Sequence, residues 1–179
     1  MKSISLIGFS GVGKSTIGPI LAGKLGYAYI DTDDFIEKRY HSDISSMFAC
    51  CGIEKFRKRE SVALIELTQK QDTVLSTGGG LPLFPGNMDT LLSRTTVVFL
   101  RSTPEELASR LSLVKATRPL VADKDEQGIR DYVNDALPDH ELFYQRAHVT
   151  VDVGTLVTEE DAARVADRII TELRKAELI

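Results

Sequence analysis

Residues 8–16 read GFSGVGKST, with the apolar run Ile4-Ser5-Leu6-Ile7 directly before them and helical spacing of apolar residues from Ile17 to Leu25 directly after. Glycines at 8, 11 and 13 let the backbone curl without Cβ clashes, so that successive N–H groups converge at the start of a helix, where an anion is favoured. In the pattern GxxxxGK[ST] the lysine, here Lys14, reaches the β- and γ-phosphates of a nucleoside triphosphate, and the next hydroxyl, Ser15, is the usual Mg²⁺ ligand. Gly11, Val12, Gly13, Lys14, Ser15 and Thr16 are therefore the nucleotide-binding set. A Gly-rich turn without this purpose would reproduce both the pattern and its flanks only rarely at ordinary glycine usage.

A strand that feeds a phosphate loop and then a helix points to an α/β fold. Short, β-branched or apolar stretches at 4–9, 27–31, 73–76, 95–100 and 148–153 predict five strands. Apolar residues at helical spacing predict helices at 15–25, 33–40, 54–69, 104–113, 127–146 and 158–176. The alternation gives a five-stranded parallel sheet with helices on both faces, and ligands bind beyond the carboxyl ends of its strands.

With 179 residues, 42% of them hydrophobic, the chain can bury one full core, so residues 1–179 are read as a single domain. The net charge of −4 and the absence of a basic run argue against nucleic acid and membrane surfaces as partners. Lys2 leads straight into the first strand and no apolar stretch reaches the length of a membrane span, so a cytoplasmic protein is expected. Cys50 and Cys51 are adjacent, which suits neither a spaced metal motif nor a simple disulfide; they read as packing residues in a reducing compartment.

Four further segments fall at the carboxyl edge of the predicted sheet or face it. In Asp31-Thr32-Asp33, after the second strand, two carboxylates can divide labour between a metal's water shell and an acceptor hydroxyl, or one can simply cap the next helix. Phe56-Arg57-Lys58-Arg59-Glu60 is either a solvated helix face or a charged site element. Ser76-Thr77-Gly78-Gly79-Gly80 ends a strand with three glycines, which allows a ligand close to the main chain. Arg118-Pro119-Leu120 lies in an aperiodic stretch at about 114–125 that reads as a lid, or as an ordinary surface loop.

Taken in order and spacing, these motifs, with Phe143-Tyr144 shortly before the last strand, resemble those of the shikimate kinase family over nearly the whole chain. The resemblance implies a P-loop fold of the nucleoside-monophosphate-kinase type, a monomer, and ATP- and Mg²⁺-dependent phosphorylation of the 3-hydroxyl of shikimate. It makes Lys14, Asp33 and Arg118 the catalytic groups, with Asp33 at the acceptor hydroxyls and Arg118 on the lid. Arg57 would grip the substrate carboxylate with Glu60 steadying it, and Gly78, Gly79 and Gly80 would approach substrate and γ-phosphate. The acceptor region is then about 33–60, walled by Phe48 and Phe56. Asp31 would join Ser15 at the metal, and Arg110 would pack on adenine.

One departure matters. Four residues before the tyrosine matching Tyr144 the family has a second carboxylate-binding arginine, and this chain has His140. A neutral imidazole offers one donor where arginine offers a permanent charge and a fork, and losing a charge-assisted hydrogen bond costs ~1.5–3 kcal/mol, or roughly ten- to a hundredfold in affinity. Three accounts are open: His140 is protonated between Glu141, Asp139 and the substrate, giving a kinase that weakens as pH rises through the imidazole pKa, Arg130 or Arg146 takes over its role, or the acceptor is a different small hydroxy acid. A nucleotide-binding module without catalysis is a further alternative.

Overall fold

The computed structural model describes residues 2–179, apart from the side chain of Thr117. Five parallel strands, β1 (Ile4–Ile7), β2 (Ala28–Asp31), β3 (Thr73–Ser76), β4 (Thr96–Arg101) and β5 (Val149–Asp152), lie in the order β2-β3-β1-β4-β5. The three inner strands carry ISLI, TVLS and TVVFLR and are buried almost throughout, whereas the edge strands β2 and β5 are partly exposed. Strands covered by helices on both faces lose the alternation of one-sided sheets and read as continuous apolar runs. Register is set by pairs such as Ile4 with Val74 and Ile4 with Thr96.

The helices are α1 (Lys14–Leu25), α2 (Thr32–Tyr40), α3 (Ile44–Leu67), α4 (Asn87–Arg94), α5 (Pro104–Val114), α6 (Glu126–Tyr144) and α7 (Glu159–Lys175). With right-handed crossovers, α1 and α7 share one face, where they pack together, and α3, α4 and α6 cover the other. The chain leaves β1 toward one edge of the sheet and its neighbour β3 toward the other. The crevice between their carboxyl ends is a topological switch point, where ligands bind in such sheets.

Two elements depart from the expectation. Asp43 caps an unexpected helical segment that starts at Ile44, and Gly52, at φ 74° and ψ 163°, is non-helical and divides α3 there, so that the part beyond it corresponds to the helix expected at 54–69. The eight-residue α4 carries no sequence signal at its start, because its cap is Gly86 with no side-chain bond. Cys50 is exposed and Cys51 partly buried, so the packing role expected of the pair does not hold at Cys50. The α2–α3 lobe has its own small core of Ile36, Met47, Phe56 and Ala63, separate from the main core around the sheet.

Candidate active site

The phosphate loop follows β1. Gly13 caps α1 at φ 105°, a left-handed conformation that an L-residue resists, and a Cβ there would strike the side chain of Leu156. The first bonds of α1 run from the N–H groups of Thr16 and Ile17 to the Gly13 carbonyl, so those of Lys14 and Ser15 stand ahead of them at the positive end of the helix. The Lys14 ammonium donates to the carbonyls of Gly8 at 2.6 Å and Phe9 at 3.0 Å. Burial, followed by the charge of Arg118, pushes its pKa down to about 8 against the pull of Asp31 and Asp33.

Asp31 caps the next helix and also reaches the phosphate loop. One carboxylate oxygen accepts from the Asp33 N–H at 2.9 Å and caps α2; the other accepts from the Ser15 hydroxyl at 2.8 Å. Asp33 then points its carboxylate at Arg118, 3.5 Å away. Burial, reinforced by Asp31, raises the Asp33 pKa despite Arg118, Lys14 and Arg57. The segment at 114–125 that carries Arg118, expected to be a lid, has a short 3₁₀ turn, Lys115–Thr117, and further turns beyond it.

The charged segment on α3 divides by facing. Lys58 is exposed and pairs with Glu54, and Arg59 lies over the ring of Tyr40. Arg57 and Glu60 face inward and pair at 2.5 Å, with Glu60 wholly buried. Its other oxygen, Oε1, has no hydrogen-bond partner among the described residues. Burial lifts the Glu60 pKa to about 7, with Arg57 opposing and Asp33 adding to the rise. The three glycines make this packing possible. A Cβ on Gly78 would lie 2.8 Å from Glu60 Oε1 and 2.9 Å from Asp33 Oδ1, and one on Gly80 would overlap the Arg57 guanidinium. Thr32 accepts from the Gly78 N–H at 3.0 Å, and the buried Tyr144 hydroxyl donates to the Gly79 carbonyl at 2.5 Å.

Two cavities result. One, of about 80 Å³ and partly open, is lined by Phe48, Phe56, Arg57, Glu60, Tyr132 and His140 among others. The second, about 610 Å³, runs along the phosphate loop past Thr16 to Arg110 and Leu156. Ser10, Asp33, Gly78, Gly79 and Arg118 line both. Arg110 is fixed at its end by the Gly154 carbonyl and by Glu106 at 3.6 Å, and burial lowers its pKa.

His140 does line the smaller cavity, and the account in which Arg130 or Arg146 takes over its role needs correction. Burial lowers its pKa below the usual imidazole value, with Arg57 and Lys14 adding to the drop and the Ala136 carbonyl and Asp139 opposing it, so the ring is neutral near pH 7. No nearby arginine replaces it. Arg146 pairs with Asp89 at 2.5 Å, and Arg130 lines a separate groove with Glu126 and Asn134. The sequence reading missed Ser10, Thr32 and Tyr132. Tyr132 was within reach, because positions 132, 136, 140 and 144 recur every four residues along one side of α6.

A phosphate loop whose cavity shares a wall with a smaller one holding a half-buried arginine and a carboxylate defines a P-loop phosphotransferase for a small acceptor. Comparison with known proteins narrows the class: the family described as shikimate kinase matches residues 10–174. The chain belongs to the shikimate kinase family. It is 38% identical over 170 residues to a shikimate kinase of Parabacteroides distasonis, covering 95% of this chain and 98% of that one. The crystal structure of a shikimate kinase from Bacteroides thetaiotaomicron superposes with a TM-score of 0.88 at 30% identity, over 97% of this chain and 98% of that one. A shikimate kinase from Acinetobacter baumannii in complex with shikimate gives 0.84 at 32% identity, over 100% of this chain and 96% of that one.

Proposed function

We propose that this protein transfers the γ-phosphoryl group of ATP to the 3-hydroxyl of shikimate. The observation that carries the reading is the shared wall: Asp33, Gly78, Gly79 and Arg118 border both the nucleotide cavity and the acceptor cavity. Arg57 supplies the charge for the acceptor carboxylate, and Phe48 and Phe56 the apolar wall for its ring.

Transfer is direct and in line. The acceptor oxygen bonds to the γ-phosphorus, the bond from that phosphorus to the β,γ-bridging oxygen breaks, and the hydroxyl proton passes to Asp33, leaving ADP and a phosphate ester. The raised pKa of Asp33 suits it to take that proton. Lys14 and Arg118 stabilise charge on the transferring group, each a contribution of ~3–4 kcal/mol in sites of this kind. The Ser15 hydroxyl and Asp31 are hard oxygen donors 2.8 Å apart at the mouth of the phosphate loop, a set that fits Mg²⁺ held with several of its waters. Magnesium bound there would offset phosphate charge. Arg110 is placed to stack on the nucleotide base.

Residues 1–179 act as one domain and as a monomer in the cytoplasm. In support, the chain is acidic, and no helix among the described residues is long and apolar enough to cross a membrane. The test is ADP release by purified protein with ATP and Mg²⁺, with and without shikimate. Saturable, shikimate-dependent release is expected; none, from protein that still binds ATP, would overturn the reading.

A further inference from the structure

The imidazole of His140 is held in one tautomer. Its Nδ1 lies 2.8 Å from the carbonyl oxygen of Ala136, one turn back along α6. A carbonyl can only accept, so Nδ1 carries the ring's proton. In the neutral ring Nε2 is therefore a bare acceptor, and it has no partner among the described residues. Phe9, 4.9 Å away centroid to centroid, and Tyr144, at 5.9 Å, pack edge-on against the ring and limit its reorientation. A carboxylate is acceptor-only and cannot bond to such a nitrogen.

We propose that His140 couples acceptor binding to proton uptake: Nε2 gains a proton as the acceptor's carboxylate enters beside Arg57, and then donates to it. This rests on the reading of the cavity as an acid-binding site. The groups around the ring support an exchange of this kind. Arg57 from α3 and Lys14 from the phosphate loop oppose a charge on the imidazole, Asp139 on its own helix favours one, and Tyr132 and Tyr144 are neutral. Asp33, Glu60 and Arg118 line the same cavity. An incoming carboxylate offsets Arg57 and tips the balance toward the protonated ring. The consequence is specificity that depends on pH, and a ligand with a neutral hydrogen-bond donor in place of the carboxylate would need no proton.

The test is calorimetric titration of the protein with shikimate, without nucleotide, from pH 6 to 8.5, in buffers of differing ionisation enthalpy. Wild type should take up close to one proton per shikimate above the imidazole pKa, with affinity falling about tenfold per pH unit there. His140→Arg and His140→Gln both carry a permanent donor and should bind with little pH dependence, and His140→Arg more tightly. Two results would overturn the proposal while leaving the acceptor reading intact: binding by wild type without proton uptake, or the wild-type pH dependence persisting in His140→Arg, which would assign it to Glu60. Absence of shikimate binding at every pH in wild type and in His140→Arg, from protein that binds ATP, would overturn the acceptor reading and this proposal with it.

Discussion

The guanidinium of Arg118 lies 3.5 Å from the carboxylate of Asp33, joining the segment after α5 to the start of α2 across 85 positions of sequence. Each residue borders both cavities, so the pair marks the point at which a phosphoryl group would pass. Arg118→Ala is expected to lower kcat about a hundredfold or more while leaving shikimate affinity within a few-fold, because the lost charge acts on the transition state. Steady-state ADP release resolves the two parameters, and an effect confined to KM would remove Arg118 from the chemistry.

Glu60 gives a stability signature. Its carboxyl is wholly buried and holds its proton up to about pH 7, whereas the unfolded chain releases it near 4.5. The folded state thus binds this proton more tightly, and the stability it contributes is present below about pH 4.5 and lost as pH rises to about 7. The span corresponds to at most about 3 kcal/mol. Glu60→Gln should flatten the pH dependence of Tm across this window, measured by calorimetry; an unchanged profile would show that Glu60 is ionised throughout.

Gly80 is expected to be intolerant of a methyl group. Its Cβ would overlap the Arg57 guanidinium, and Gly80 borders the acceptor cavity without bordering the nucleotide cavity. Gly80→Ala should weaken shikimate binding roughly ten- to a hundredfold, the range for a displaced charge-assisted bond, with ATP affinity retained. Equal losses for both ligands, read by direct titration, would indicate general disruption of the loop.

Asp31 has two separable tasks. Asp31→Asn keeps an oxygen to cap α2 but loses the charge beside Ser15, so the Mg²⁺ concentration for half-maximal turnover should rise about tenfold with Tm nearly unchanged. Asp31→Ala should in addition lose about 1 kcal/mol of stability with the cap. A normal magnesium requirement in Asp31→Asn would leave Asp31 as a cap alone.

Much of this was legible in the sequence because the informative segments are governed locally. β1, β3 and β4 are apolar runs, and the phosphate loop is determined by glycines whose backbone angles few other residues adopt. What was not legible depends on distant packing. That Arg57 and Glu60 turn inward while Lys58 stays in water follows from which side of α3 meets the glycine loop. The helical segment from Ile44 to the break at Gly52 was hidden by Ser45, Ser46, Cys50 and Cys51, residues of modest helix propensity in a segment that the α2–α3 core nevertheless holds. His140 stood out as a departure, but its single tautomer came from a bond to the backbone of its own helix.

Helix α1, whose first turn is the phosphate loop, lies against α7, and Lys24 of the one meets Asp167 of the other at 2.7 Å. The segment that grips the nucleotide is made before the helix that braces it, which follows more than 130 residues later. A chain still on the ribosome, with α7 not yet released, therefore lacks the support of its own phosphate site. The ion pair of Lys24 with Asp167 can form only once α7 has been made and docked.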